Sequence, residues 1–308
     1  MIPDGERMFI GDGGLETVMI FREGLELPEF ASFTLLRESG GREALRRYYD
    51  GFIEIAGAHD TGFTFDTPTW RASNGWGEKL GFSPREIADV NREAVEFGAQ
   101  VRADHQGSGT PIAICGAIGP EGDAYHPERA LSAAEAEEYH SAQIGVLAAE
   151  GADMVGAYTL TYAEEAIGIA RAAAAAGIPA SISFTVETDG RLPSEEPLQE
   201  AMERFDAETE AAAAYLMINC AHPSHFEASL DSGGAWLDRI GGIRPNASRK
   251  SHEELDAATE LDSGDPDELG TEYSALEDRL PNLRVLGGCC GTDHRHIASI
   301  CDACLPTS

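Results

Sequence analysis

Residues 284–304 read RVLGGCCGTDHRHIASICDAC. An apolar start, a glycine-rich break and a stretch with apolar residues at helical spacing predict one strand, Arg284–Gly288, running into one helix, His294–Cys304. The same unit recurs along the whole chain. Moving outward towards the N-terminus, glycine-punctuated apolar runs predict strands at Arg239–Ile243, Tyr215–Cys220, Ala180–Val186, Met154–Tyr158, Ile112–Ala117, Thr61–Asp66 and Met8–Asp12. Alanine- and glutamate-rich stretches between them predict helices at Arg42–Gly57, Pro84–Asp104, Ala133–Glu150, Ala163–Ala176, Pro197–Ala213 and Ser248–Leu261, with a short one near His225–Leu230. Eight strand-then-helix units, joined by connections too long for hairpins, require a parallel sheet. They close most naturally into one (β/α)8 TIM barrel domain spanning residues 1–308. An open doubly wound sheet is the runner-up, but Gly11-Asp12-Gly13-Gly14 lacks the third glycine of a dinucleotide fingerprint. The polar stretch Asp256–Gly270 is the expected excursion from the barrel, with a turn at Asp262–Pro266.

The chain carries 54 acidic against 22 basic residues, a formal charge of −32. Lys79 and Lys250 are its only lysines, a balance that adaptation to high salt produces. Such a field repels nucleic acid and anionic membranes, so neither is an expected partner. No uncharged apolar run is long enough to span a bilayer, and Met1–Phe9 lacks a basic-then-apolar leader pattern. The expectation is a cytoplasmic protein, with homo-oligomerisation left open. The cysteines at 115, 220, 289, 290, 301 and 304 do not resemble a disulfide scaffold in a chain this long, and their clustering at element ends argues for reduced thiols and metal.

Barrel enzymes place their active sites at the C-terminal ends of the strands. Cys220 would sit there after the sixth strand, Cys289 and Cys290 after the eighth, and Asp12 after the first, which neighbours the eighth in a closed barrel. A bridge between adjacent cysteines is strained, whereas three thiolates make an open zinc site that keeps a fourth position for water or a sulfur substrate. The bland alternative is three buried, inert cysteines. Asp12, between glycines, suits a substrate ammonium group or its own turn. Trp70 suits a cationic ligand or an aromatic plug. His222 and His225 fit supporting roles better than ligation, and His294 and His296 read as helix-surface residues. Cys115 reads as core, and Cys301 and Cys304 as packing.

Together these residues resemble the homocysteine S-methyltransferase family, which includes betaine-dependent and S-methylmethionine-dependent enzymes. The marks are Asp12-Gly13-Gly14, the Thr-x-Thr-aromatic-x-Ala-Ser run at Thr67–Ser73, Ile118-Gly119-Pro120, Ser183-Phe184-Thr185 followed by Asp189-Gly190, Asn219-Cys220, and Gly287–Thr292. The resemblance implies a (β/α)8 barrel with Zn2+ on Cys220, Cys289 and Cys290. It implies Asp12 as a contact for the acceptor's amino group, and Gly13, Thr67, Trp70, Tyr158 and Asn219 around the substrates. The implied reaction moves a methyl group from a small onium donor (S-methylmethionine, S-adenosylmethionine or a betaine) to the thiol of homocysteine, giving methionine. No second domain is evident for folate or cobalamin. Three positions depart from the pattern: Tyr158-Thr159 stands where the family usually has Glu-Thr, Pro68 replaces a common Asn, and Trp70 a common Tyr. The departures leave open a relative acting on a different thiol acceptor or methylated donor. A non-catalytic zinc-binding barrel is the reading from another class.

Overall fold

The structure is a computed structural model that describes residues 2–3, 5, 7–125 and 129–305. Eight parallel strands, β1 Phe9–Ile10, β2 Gly62–Asp66, β3 Ile112–Ile118, β4 Met154–Leu160, β5 Ala180–Phe184, β6 Tyr215–Asn219, β7 Ile240–Arg244 and β8 Val285–Leu286, form a closed barrel in sequence order. Closure is made by the two shortest strands, with Phe9 opposite Val285 and Ile10 opposite Leu286. The barrel is the (β/α)8 architecture the alternation predicts. Each predicted strand is present, with ends displaced by at most two residues.

Strand periodicity divides the core in two. Along β3, Ala113, Cys115 and Ala117 join Phe9, Met154, Tyr158, Tyr215, Met217 and Val285 inside the barrel, while Ile112, Ile114 and Ile118 face the helix layer. Cys115 is therefore core, as expected. Small side chains on β3 make room for the methionines and tyrosines opposite, so the interior is filled rather than hollow. Outside lie α1 Leu15–Phe21, α2 Gly41–Ala58, α3 Asn74–Lys79, α4 Pro84–Asp104, α5 Ala133–Ala149, α6 Ala163–Ala176, α7 Leu198–Thr209, α8 Pro223–Phe226, α9 His252–Asp256, α10 Pro266–Glu277 and α11 His294–Cys304. In α2 the stripe Leu45, Tyr48, Tyr49, Phe52, Ile53 and Ala56 is buried at helical spacing, each large side chain contributing roughly 1.5–3 kcal/mol. Cys301 is buried on α11, with Cys304 packed beside it.

Three helical expectations need correction. The helix expected at Ser248–Leu261 is only α9, and the long helix of that region is α10, further on. Asp265 caps it by accepting from the Asp267 and Glu268 amides, and Pro266 occupies its first turn. The acidic composition either side of this cap is alike, so only the Asp-Pro pair marks the start. The stretch expected at Pro197–Ala213 ends at Thr209, because Glu210 and Ala211 take left-handed backbone. The short helix near His225–Leu230 begins earlier, at Pro223, and passes into a 3-10 turn over Glu227–Ser232. At Asp262–Pro266 the expected backbone turn is replaced by a side-chain one, with the Gly264 amide donating to Asp262 Oδ1 at 3.2 Å. No helix among the described residues is long and apolar enough to cross a membrane.

Candidate active site

The strand order brings the Cys220 loop and the Cys289-Cys290 loop to one side of the barrel mouth, and the segment after β7 fastens them together. The Cys220 amide donates to the Arg244 carbonyl (3.0 Å) and the Cys289 amide to the Pro245 carbonyl (2.8 Å), while Ala247 donates to the Cys290 carbonyl (3.0 Å). The Cys220 carbonyl accepts from Asn246 Nδ2 (2.9 Å) and lies 2.8 Å from His252 Nε2, which therefore carries the proton. Cys220 itself has φ +57, a left-handed backbone that a non-glycine residue adopts at a cost of about 1–3 kcal/mol. Across the barrel closure, Gly14 lies so close that a Cβ there would stand 2.6 Å from the Cys289 carbonyl oxygen.

These constraints converge the three sulfurs. All three Sγ atoms lie within 4.8 Å of one another, and Cys220 and Cys290 are 3.7 Å apart. A tetrahedral zinc with bonds of about 2.3 Å separates its sulfurs by about 3.8 Å, so the donor set fits that ion. Hydrogen bonds from Cys289 and Cys290 hold the Cys220 thiol well below its ordinary range despite its burial. The same bonds push Cys289 up to about 12 and Cys290 well above the ordinary thiol range, so the trio shares one readily formed thiolate. Tyr125 places its hydroxyl 3.1 Å from the Cys220 sulfur and stacks on His252 at 4.1 Å.

Beside the sulfurs, tied to the same loops by the Gly288 amide on the Asp12 carbonyl (2.9 Å), lies a charged floor built from the ends of β1, β2, β4 and β7 and from α2. Arg244, at the end of β7, pairs through Nη1 with Asp66 at the end of β2 and through Nη2 with Asp12 after β1. Its Nε donates to the Gly288 carbonyl at 3.1 Å. Tyr158 donates to the other Asp66 oxygen (2.8 Å) and Tyr48 to the other Asp12 oxygen (3.1 Å). Burial pushes the Asp12 carboxyl up to about 7 against the pull of Arg244. Every member of this group is nine-tenths or more buried.

The remaining expected site residues fall around one cavity of about 320 Å³, lined by Asp12, Gly13, Thr67, Trp70, Tyr158, Asn219 and the three cysteines among others. Asn219 ties β4 to the sulfurs: its side-chain oxygen accepts from the Thr159 amide (2.9 Å) and Ser183 (2.6 Å), and its nitrogen donates to Thr159 Oγ1 (2.9 Å) and to the Cys289 sulfur (3.9 Å). That clamp holds Thr159 at φ +62, where β4 loses register with β5 between Ala157 and Leu160. Thr67 Oγ1 accepts from the Ala117 amide (3.1 Å) and bonds Thr69 (2.6 Å). One face of Trp70 carries the guanidinium of Arg71, 4.0 Å away. His222 and His225 turn away from the sulfurs, to Glu272 (3.2 Å) and the Arg249 carbonyl (2.9 Å). Contrary to expectation, His296 is fully buried, bonding the Ser263 carbonyl (2.7 Å), and His294 stacks on Phe52 at 4.1 Å. The buried stripe of α11 is His296, Ile297, Ile300 and Cys301.

Asp66, Tyr125, Arg244, Asn246 and His252 were not singled out by sequence reasoning. Asp66 and Arg244 end strands, and that position alone could have marked them.

The family model for homocysteine S-methyltransferase matches residues 9–304. Among solved structures, the oxidized form of the homocysteine methyltransferase MmuM from Escherichia coli matches with a TM-score of 0.77 at 19% identity, over 95% of this chain and 94% of that one. Its metallated form matches with a TM-score of 0.74 at 19% identity, over 96% of each chain. At such identity the likeness is one of fold. No curated protein sequence matches this chain.

Proposed function

The chain belongs to the homocysteine S-methyltransferase family and is a methyltransferase, and from that premise we propose that it moves a methyl group from a small onium donor to the thiol of homocysteine, with zinc held by Cys220, Cys289 and Cys290. The observation that carries this reading is the convergence of three sulfurs on the cavity wall at a spacing suited to zinc. Bound zinc would supply one thing, stabilisation of the acceptor's sulfur as a thiolate at neutral pH.

Everything else falls to the chain's own residues. Asn246, His252 and the Pro245 carbonyl fix the two cysteine loops before any ligand arrives, so little reorganisation remains when the site fills. Trp70, Leu255 and Leu261 supply apolar wall around the reacting atoms. In the transfer, the acceptor sulfur forms its bond to the methyl carbon while the bond from that carbon to the donor's sulfur or nitrogen breaks, its electron pair staying with the donor. Thiolate and onium charges disappear together, which a site that excludes water favours. The test is methionine formation from homocysteine with S-methylmethionine, S-adenosylmethionine and glycine betaine in turn. Product with at least one donor supports the reading; zinc-loaded protein that makes none with any of them contradicts it.

A second reading, with another thiol as acceptor, is favoured by the charged floor. Both oxygens of Asp12 are engaged by Arg244 and Tyr48, and Tyr158 brings no carboxylate to meet an ammonium group. Under that reading a thiol lacking an amino group would be methylated as fast as homocysteine.

A further inference from the structure

Arg71 occupies a position that the Thr67–Ser73 run leaves variable, and its circumstances differ from those of Arg244. It lines the cavity and is 5% exposed, yet it forms no ion pair among the described residues. One hydrogen bond, from Nη1 to the Gly122 carbonyl at 3.2 Å, anchors it, and its Nε is buried with no partner. Two indoles hold the guanidinium flat: its carbon lies 4.0 Å from the centre of Trp70 and 3.7 Å from that of Trp76. Both indoles are themselves fixed, Trp76 donating to the Pro120 carbonyl (3.1 Å) and Trp70 to the Tyr158 carbonyl (3.4 Å). Burial pushes the Arg71 pKa down to about 10, which still leaves the group charged at neutral pH.

A buried cation with unused donors is costly unless an anion meets it. The planar fork of a guanidinium matches a carboxylate with two parallel hydrogen bonds. The rest of the lining selects the size of that anion's charge. Asp12, Glu16, Asp66 and Asp123 also line the cavity, and this acidic setting disfavours a phosphate with two negative charges while tolerating one carboxylate on a zwitterion. Asp123 and Tyr125 are among the charged and titratable groups felt at Arg71, and Tyr125 reaches the Cys220 sulfur. The guanidinium and the thiols thus line the same cavity.

We propose that Arg71 is the carboxylate-binding residue of this cavity, holding the carboxylate end of a small zwitterionic substrate while its sulfur or onium end lies at the cysteines. The identity of the substrate rests on the methyl-transfer reading; the carboxylate subsite does not. The carboxylate belongs either to the acceptor or to the donor, and two ligand pairs separate these sources. Zinc-loaded wild type, Arg71→Gln and Arg71→Lys are titrated by calorimetry with homocysteine against 3-aminopropane-1-thiol, and with glycine betaine against choline. In each pair the second member lacks the carboxylate.

Arg71→Gln should weaken the carboxylate-bearing member of at least one pair by about thirtyfold and leave its counterpart within about twofold, as loss of a charge-assisted pair predicts. The responding pair identifies the source. Equal weakening within each pair, as a purely structural indole clamp would give, overturns the proposal, as does no weakening or no preference of wild type for either carboxylate. Should Arg71→Gln fail to fold, Arg71→Lys decides, since it keeps the charge but not the fork and should lose about tenfold of the same preference. Because binding is read rather than turnover, the two readings fail separately. Protein that titrates as expected but forms no methionine keeps the subsite and loses methyl transfer to homocysteine. Protein that forms methionine while Arg71→Gln leaves the preferences intact does the reverse.

Discussion

The two walls of the barrel mouth are built on opposite principles. On the sulfur wall, backbone does most of the positioning, joined by the side chains of Asn246 and His252: amides and carbonyls of the segments after β6, β7 and β8 bond one another, and the side chains of Cys220, Cys289 and Cys290 are left to converge. On the charged floor, side chains satisfy one another, and Asp12, Asp66, Arg244, Tyr48 and Tyr158 leave neither oxygen of either carboxylate unpaired. The sulfur wall holds donor atoms in reserve for something not in the chain, whereas the floor is largely complete by itself. This contrast separates where a ligand is to be bound from what supports the binding.

The largest effect should come from the sulfur wall. Cys290→Ser removes one of three donors and should weaken zinc binding by at least about a hundredfold, read by metal content after dialysis against a weak chelator, with little change in folding. Unchanged metal content would remove the sulfur wall's assigned role. Next comes the floor: Arg244→Met strands two buried carboxylates and should cost about 3–5 kcal/mol in urea unfolding. Adding Asp12→Asn and Asp66→Asn to that variant should recover most of the loss. A cost under about 1 kcal/mol would mean the floor is not a closed unit. Asn219→Ala lies between the two walls and should cost about 1–3 kcal/mol, because it orphans the Thr159 amide and frees its left-handed backbone. Its zinc affinity should fall by no more than about tenfold. The smallest effect belongs to Tyr158→Phe, which deletes one bond to Asp66 and should cost about 1 kcal/mol. A much larger cost would show that Tyr158 organises the floor rather than completing it.

The same contrast explains which parts of the molecule could be read from sequence. Strand runs and glycine breaks are local, so the eight strands and their closure into a barrel were legible, and with the closure came the meeting of Asp12 with the Cys289-Cys290 loop. The sulfur wall was legible because its cysteines sit in local punctuation at strand ends. The floor was not: Arg244 meets Asp66 across 178 residues and Asp12 across 232, and nothing in the neighbourhood of Arg244 announces either partner. Asp12 could be placed at the mouth, but not seen to be held by an arginine. Helix α10 was missed for a different reason, since its sequence is as polar and acidic as the loop before it and only Asp265-Pro266 marks the boundary. His296 lies one turn before Ile300 on the buried face of α11, but a polar side chain there gives no apolar signal, and the Ser263 carbonyl that satisfies it lies outside the helix.

In the proposed reaction Cys220, Cys289 and Cys290 together hold a zinc whose remaining position accepts the substrate thiol. X-ray absorption spectroscopy of the purified, zinc-loaded protein, recorded before and after addition of homocysteine, tests it most directly. One zinc per chain with three sulfur neighbours at about 2.3 Å is expected, rising to four sulfurs when the thiol is added. A zinc with fewer than three sulfur neighbours, or a sulfur shell that homocysteine leaves unchanged, would contradict it.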